Sequence, residues 1–145
     1  RRHGHVIEDL RAALPPMLLV RCVLGGPVDT LTLRTAGDGD VGEYEDLRAR
    51  LRRAVAAGDA AAVAAVATRS ALLNQTRHYK PGLERLIAAA ERGDALGVQV
   101  AHSGNVAGLL FEREHPRERL RRTCTRVRAV GFRVDDAPIA IGGAA

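Results

Sequence analysis

Gly97-Val98-Gln99-Val100-Ala101-His102-Ser103-Gly104-Asn105-Val106-Ala107-Gly108-Leu109-Leu110 holds two short apolar runs, the first reaching back to Leu96 and the second running on to Phe111. Between them lie His102, Ser103, Gly104 and Asn105, the composition of a tight hairpin loop, because Gly and Asn accept backbone angles that other residues avoid. The stretch predicts two antiparallel strands joined by a polar turn at residues 102–105. Strands of this length cannot bury an apolar face alone, so the flanking sequence has to supply the covering layer.

On the N-terminal side, Leu83, Leu86, Ile87 and Ala90 recur at helical spacing after Pro81 and stop at Gly93. Pro81 suits the first turn of that helix and Gly93 its end. Before it comes an alanine-rich stretch with Val63, Val66, Ser70 and Leu73 on one stripe, opened by Asp59 at an N-cap position. A further helix is expected from Glu43 to Gly58, with Tyr44, Leu47, Leu51 and Val55 inward and arginines filling much of the rest. Residues 36–40 read as a loop. Residues 17–24 form a strand-like run bounded by Pro15-Pro16 and Gly25-Gly26-Pro27, and residues 28–35 alternate as a second extended segment. On the C-terminal side Pro116 opens a fourth helix through Leu120, Cys124, Val127 and Val130, ended by Gly131. Short extended pieces follow at 132–134 and 139–141. The order, strands then three helices, a hairpin, a helix and a last strand, predicts an α+β sandwich: an antiparallel sheet with helices on one face.

The 145 residues fit one domain, and with 46% apolar and 3% aromatic residues the core is built from Leu, Val, Ile and Ala. Basic residues outnumber acidic ones 22 to 17, for a net charge of +5, and Lys80 is the sole lysine. Acids are interleaved with the arginines along most of the chain, so the surplus does not by itself mark a nucleic-acid surface. The arginines of the fourth helix spread around it, and no aromatic stacking platform accompanies them, which reads as a solvated face. Cys22 and Cys124 sit in apolar-periodic segments without metal-ligand spacing and are read as buried thiols of a reduced, cytoplasmic compartment. Apolar runs fall far short of the roughly 20 residues that span a bilayer, so no membrane partner is expected. The chain begins with Arg1 and reads as a cut through a longer protein: residues 1–14 a tail of a missing N-terminal half or a linker, residues 15–145 one domain.

Residues 97–110 resemble the third conserved motif of the GHMP kinases, in which a glycine-rich loop joins two strands of the C-terminal domain beside the phosphates and the acceptor hydroxyl. The Ala101-His102-Ser103-Gly104 version is most similar to the L-threonine kinase branch that serves cobalamin synthesis. Val28-Asp29-Thr30, then Asn74-Gln75, then Lys80-Pro81-Gly82-Leu83 agree with that branch in order and position. The resemblance implies a ferredoxin-like C-terminal domain, and as the whole protein's activity the ATP-dependent phosphorylation of a hydroxyl amino acid, most closely L-threonine. It further implies ATP and Mg2+, bound mainly by an N-terminal half whose Pro-x-x-x-Gly-Leu-x-Ser-Ser loop has no counterpart here. Partners would be that half and the small-molecule substrate, with homo-oligomerisation open. The fragment alone is expected to be inactive. One glycine stands among residues 102–105, where many relatives have three or four.

Phosphoryl transfer needs positioned donors and cations around developing negative charge. The Ser103-Gly104-Asn105 turn would present backbone amides, or serve only as a hairpin turn. His102 would donate to a phosphate or carboxylate, or pack at a strand end. Asp29 and Thr30 would bind polar groups of the substrate, or Asp29 would cap a local turn. Asn74 and Gln75 would reach a ligand, or close a helix. A stand-alone ligand-binding or regulatory domain, and an RNA-binding or oligomerising module, are the rival readings. No catalytic residue and no metal ligand is assigned.

Overall fold

A computed structural model describes residues 9–10, 13–25, 38–101 and 105–143. Its elements run β1 (Met17–Val23), α1 (Asp38–Ala56), α2 (Ala60–Asn74), α3 (Leu83–Arg92), β2 (Gly97–Val100), β3 (Val106–Glu112), α4 (Arg117–Ala129), β4 (Arg133–Val134) and β5 (Ile139–Ile141). The expected extended segment at 28–35 lies outside the described residues.

The expected hairpin forms. β2 pairs antiparallel with β3, Gly97 opposite Leu110 and Val100 opposite Ala107. β3 pairs antiparallel with β1 over its whole length, from Met17 opposite Glu112 to Val23 opposite Val106. β1 is therefore central: β4 pairs with its Cys22 end and β5 with its Met17 end, both antiparallel. Side chains alternate across such a sheet, and the alternation divides the core. Leu18, Val20 and Cys22 of β1 and Ala107, Leu109 and Phe111 of β3 join Leu83, Leu86 and Ile87 of α3 and Leu120, Cys124 and Val127 of α4 in one cluster. Met17 and Leu110 point the other way and meet Ala54 and Val55 of α1 and Val63 and Ala64 of α2.

The α+β architecture with an antiparallel sheet is thus as read, with a refinement to its layers. Helices α3 and α4 cover one face. The α1–α2 pair lies against the β2 edge and reaches the Met17 and Leu110 side. Two contacts bring α2 so close: the Val98 amide donates to Thr68 Oγ1 at 2.9 Å, and a Cβ on Gly97 would stand 2.5 Å from the Ala64 carbonyl oxygen. The outer edge of β2 is thereby supplied with a hydrogen-bond partner, which an open strand edge lacks.

Helix boundaries follow local chemistry. Asp59 caps α2, its side chain accepting from the Ala62 amide at 3.0 Å. Helix α1 begins at Asp38 rather than Glu43, so residues 38–40 are helical where a loop was expected. Helix α3 starts at Leu83 on Gly82, two residues beyond Pro81, because Gly82 takes φ 84°, a left-handed conformation that no helix interior allows. All four inward positions expected for α3 are buried. Val130, expected within the fourth helix, is instead its exposed C-cap, because α4 ends at Ala129. The arginines of α4 spread as expected over a solvated surface: Arg119 pairs with Asp94, Arg122 with Glu118 and Arg128 with Asp136. Among the described residues no helix is long and apolar enough to cross a membrane.

Candidate functional site

The Val23 end of β1 and the turn end of the hairpin form one rim of the sheet. Ala101 donates to the Val106 carbonyl at 3.0 Å, closing the hairpin ladder just before its turn. Leu24 donates to the Asn105 carbonyl at 2.7 Å, and the Asn105 side-chain amide donates to the Gly25 carbonyl. Asn105 therefore ties the hairpin to the residue that closes the first strand segment. His102, Ser103 and Gly104 follow Ala101 directly, and Asp29 and Thr30 follow Gly25 by four and five positions; all five lie outside the described residues.

Helix α2 delivers its C-terminus toward the same rim. Its first turns, Val63 and Ala64, pack with Met17 at the far end of β1, whereas Ala71 and Leu72 belong to the cluster that takes in Leu24 and Val100. Asn74 is the last residue of the helix and Gln75 its C-cap. Asn74 is buried, and its carbonyl accepts from Arg77 at 3.1 Å and His78 at 2.8 Å, turning the chain. Gln75 does something the sequence left open: its Oε1 accepts from the Lys80 amide at 2.7 Å while its Nε2 donates to the Lys80 carbonyl at 3.2 Å. The side-chain amide thus mimics a strand partner and fixes residue 80 in place.

Lys80 is the residue that sequence reasoning noticed but did not place in the site. It is only 3% exposed, and burial lowers its pKa below the ordinary lysine value, since desolvation penalises the charged form. A pocket of about 190 Å³ beside it is lined by Gln75, Tyr79, Lys80, Gly82, Leu83, Glu84 and Arg85. The available signal was its standing as the sole lysine in a chain of arginines, five residues beyond the helix end. A compact buried ammonium is suited to an anionic group in a low-dielectric setting, where its field is screened least. Among the described residues no three His, Cys, Asp or Glu side chains converge as metal ligands, so no magnesium site is assigned to them.

Together the elements define an α+β domain whose antiparallel sheet is covered on one face by α3 and α4. Residues 51–128, more than half of the chain, match the family model described as "GHMP kinases C terminal". The chain belongs to that family. It is 46% identical over 48 residues to an L-threonine kinase of Salmonella typhimurium, a match covering 33% of this chain and 16% of that protein. An L-threonine kinase of Citrobacter freundii is 47% identical over 47 residues, covering 32% and 16% respectively. Among solved structures, a putative homoserine kinase of Listeria monocytogenes superposes with a TM-score of 0.60 at 14% identity, over 90% of this chain and 43% of that one. The homoserine kinase of Cytophaga hutchinsonii gives 0.57 at 14% identity, over 88% and 43%. The matches thus span about a sixth of each of these curated relatives and under half of each solved structure.

Proposed function

We propose that this chain is the substrate-side domain of an ATP-dependent kinase that phosphorylates the hydroxyl of L-threonine. Residues 15–145 form that domain in this reading, and residues 1–14 lead in from a nucleotide-binding half that brings ATP and Mg2+. The observation that carries the proposal is the tie of Asn105 to the end of β1, beside which the reading sets the Gln75–Lys80 clamp that closes α2. The partial identity with L-threonine kinases favours threonine over other hydroxyl amino acids. In this reading the amides of Ser103, Gly104 and Asn105 face the transferred phosphoryl group. His102, Asp29, Thr30 and Asn74 hold the polar groups of the substrate, and Lys80 neutralises an anionic group of the bound acceptor. A cytoplasmic setting suits the two free thiols.

The test is a substrate screen with the full-length protein, ATP and Mg2+, offering threonine, serine and homoserine and following phosphoamino acid formation by phosphorus NMR. O-phosphothreonine as the preferred product is expected. Preference for homoserine would keep the kinase and discard the threonine assignment; no transfer to any of the three would remove the catalytic reading. His102→Ala, Gly104→Val and Lys80→Met should each lower kcat/KM for threonine by about tenfold or more, within the range for losing one positioned donor. Normal turnover by all three variants would refute the residue assignment.

A further inference from the structure

A groove of about 420 Å³ lies between α1 and α2, outside the rim described above. Its volume falls in the range of sites that hold small organic ligands. Leu47 and Ala54 of α1 and Val66 of α2 provide an apolar floor. Arg50 and Arg53 of α1 stand on its border three residues apart, a spacing that sets both guanidinium groups on one helix face. Neither side chain forms an ion pair or hydrogen bond among the described residues. Two like charges at that spacing repel each other, so the pair destabilises α1 unless an anion lies between them. The other charged lining groups are already engaged: Asp59 caps α2 through the Ala62 amide, and Arg69 is held by Glu43.

An apolar floor beneath two uncompensated guanidinium groups matches a ligand with a hydrocarbon body and a doubly charged head. Guanidinium forks recognise phosphate oxygens in bidentate fashion, and a phosphate monoester carries close to two negative charges at neutral pH. We infer that the α1–α2 groove binds a small phosphate monoester with an apolar substituent, at a site separate from the one that serves phosphoryl transfer. The groove's size fits a compact ligand better than an extended chain, which would need contacts running along the helices.

The experiment is calorimetric titration of the full-length protein with n-hexyl phosphate, inorganic phosphate and hexan-1-ol, with and without saturating threonine. Saturable binding of hexyl phosphate is expected, unaffected by threonine and about tenfold or more tighter than either fragment, since head and tail each contribute. The Arg50→Ala/Arg53→Ala variant should lose about tenfold in affinity, and Ala65→Glu, which sets a carboxylate on the exposed wall, should abolish binding. Both should keep the wild-type circular dichroism spectrum and threonine turnover. Equal binding of inorganic and hexyl phosphate, or unchanged affinity in the double variant, would overturn the inference. So would an acidic helical peptide that displaces hexyl phosphate at lower concentration, which assigns the groove to a protein partner, or a dimer dissociated by Arg50→Glu, which assigns it to a second copy.

Discussion

Gly97→Ala is the sharpest test of how α2 is seated on the sheet. The added Cβ would lie 2.5 Å from the Ala64 carbonyl oxygen and 2.6 Å from Thr68 Oγ1. Carbon and oxygen normally approach no closer than about 3.3 Å, so the overlap is roughly 0.8 Å. The first obstacle is main chain in the middle of α2, which cannot rotate aside; the helix must move as a body. It is held by Val63, Ala64, Ala71 and Leu73, all buried, and by the Thr68 hydroxyl, which donates to the Ala64 carbonyl at 3.0 Å and accepts from Val98 at 2.9 Å. Overpacking costs about 1–3 kcal/mol, and withdrawing the acceptor from Val98 adds about 1 kcal/mol or more, so a loss of about 2–4 kcal/mol is expected. Relief of glycine's chain entropy returns less than about 1 kcal/mol. In urea unfolding of the full-length protein, with a slope of about 2 kcal/mol/M, the midpoint should fall by roughly 1–2 M. Gly108→Ala is the control. The nearest atoms to its Cβ would belong to the side chain of Leu19, from 2.7 Å, and a side chain can change rotamer, so about 1 kcal/mol is expected. A Gly97→Ala protein as stable as wild type, or less affected than Gly108→Ala, would show that α2 does not press on β2 as described.

Thr68→Val keeps the shape and removes the hydroxyl that bridges Ala64 and Val98, so a loss of about 1–3 kcal/mol in the same assay is expected. Cys22 is fully buried, and burial first, then the neighbouring Cys124 and Asp135 charges, push its thiol up to about 12. It should therefore resist iodoacetamide at pH 8 in the folded protein and react once urea is added. Its folded-state pKa is raised, so the stability it contributes is complete below its ordinary value of 9.0 and declines as pH rises toward about 12. For Asp94, the hydrogen bond from Arg119 is the largest influence and lowers its pKa below the ordinary 3.8. Its contribution is present above 3.8 and is lost as pH falls through the lower folded-state value. Asp94→Asn should flatten the acid limb of the stability profile there, which acid-titrated thermal unfolding would reveal.

Local rules carried much of the fold. The N-cap at Asp59, the inward stripe of α3, the polar break between β2 and β3 and the buried thiols each depend on a few neighbouring residues, and each is legible in the chain. Boundaries shifted where those rules compete. Asp38 joins α1 although two glycines and two aspartates in residues 36–40 suggested a loop. Val130 falls outside α4, which stops one residue earlier, and serves as its C-cap.

For the candidate site, sequence marked the hairpin turn and the α2 end as separate features. It did not show that Gln75 spends its amide on the backbone of Lys80, since a side chain that folds back on its own loop leaves no periodic trace. Nor did it show that Asn105 ties the hairpin to Gly25, a contact across 80 positions.

Alternation, caps and breakers thus determined which elements exist, because each answers to interactions within a turn or two of chain. Packing alone decided that Gly97 must lack a side chain, that the sole lysine lies buried, and that the end of β1 meets Asn105 of the hairpin 80 positions away. Those outcomes depend on which surfaces meet once the sheet has formed, and local spacing holds no information about them.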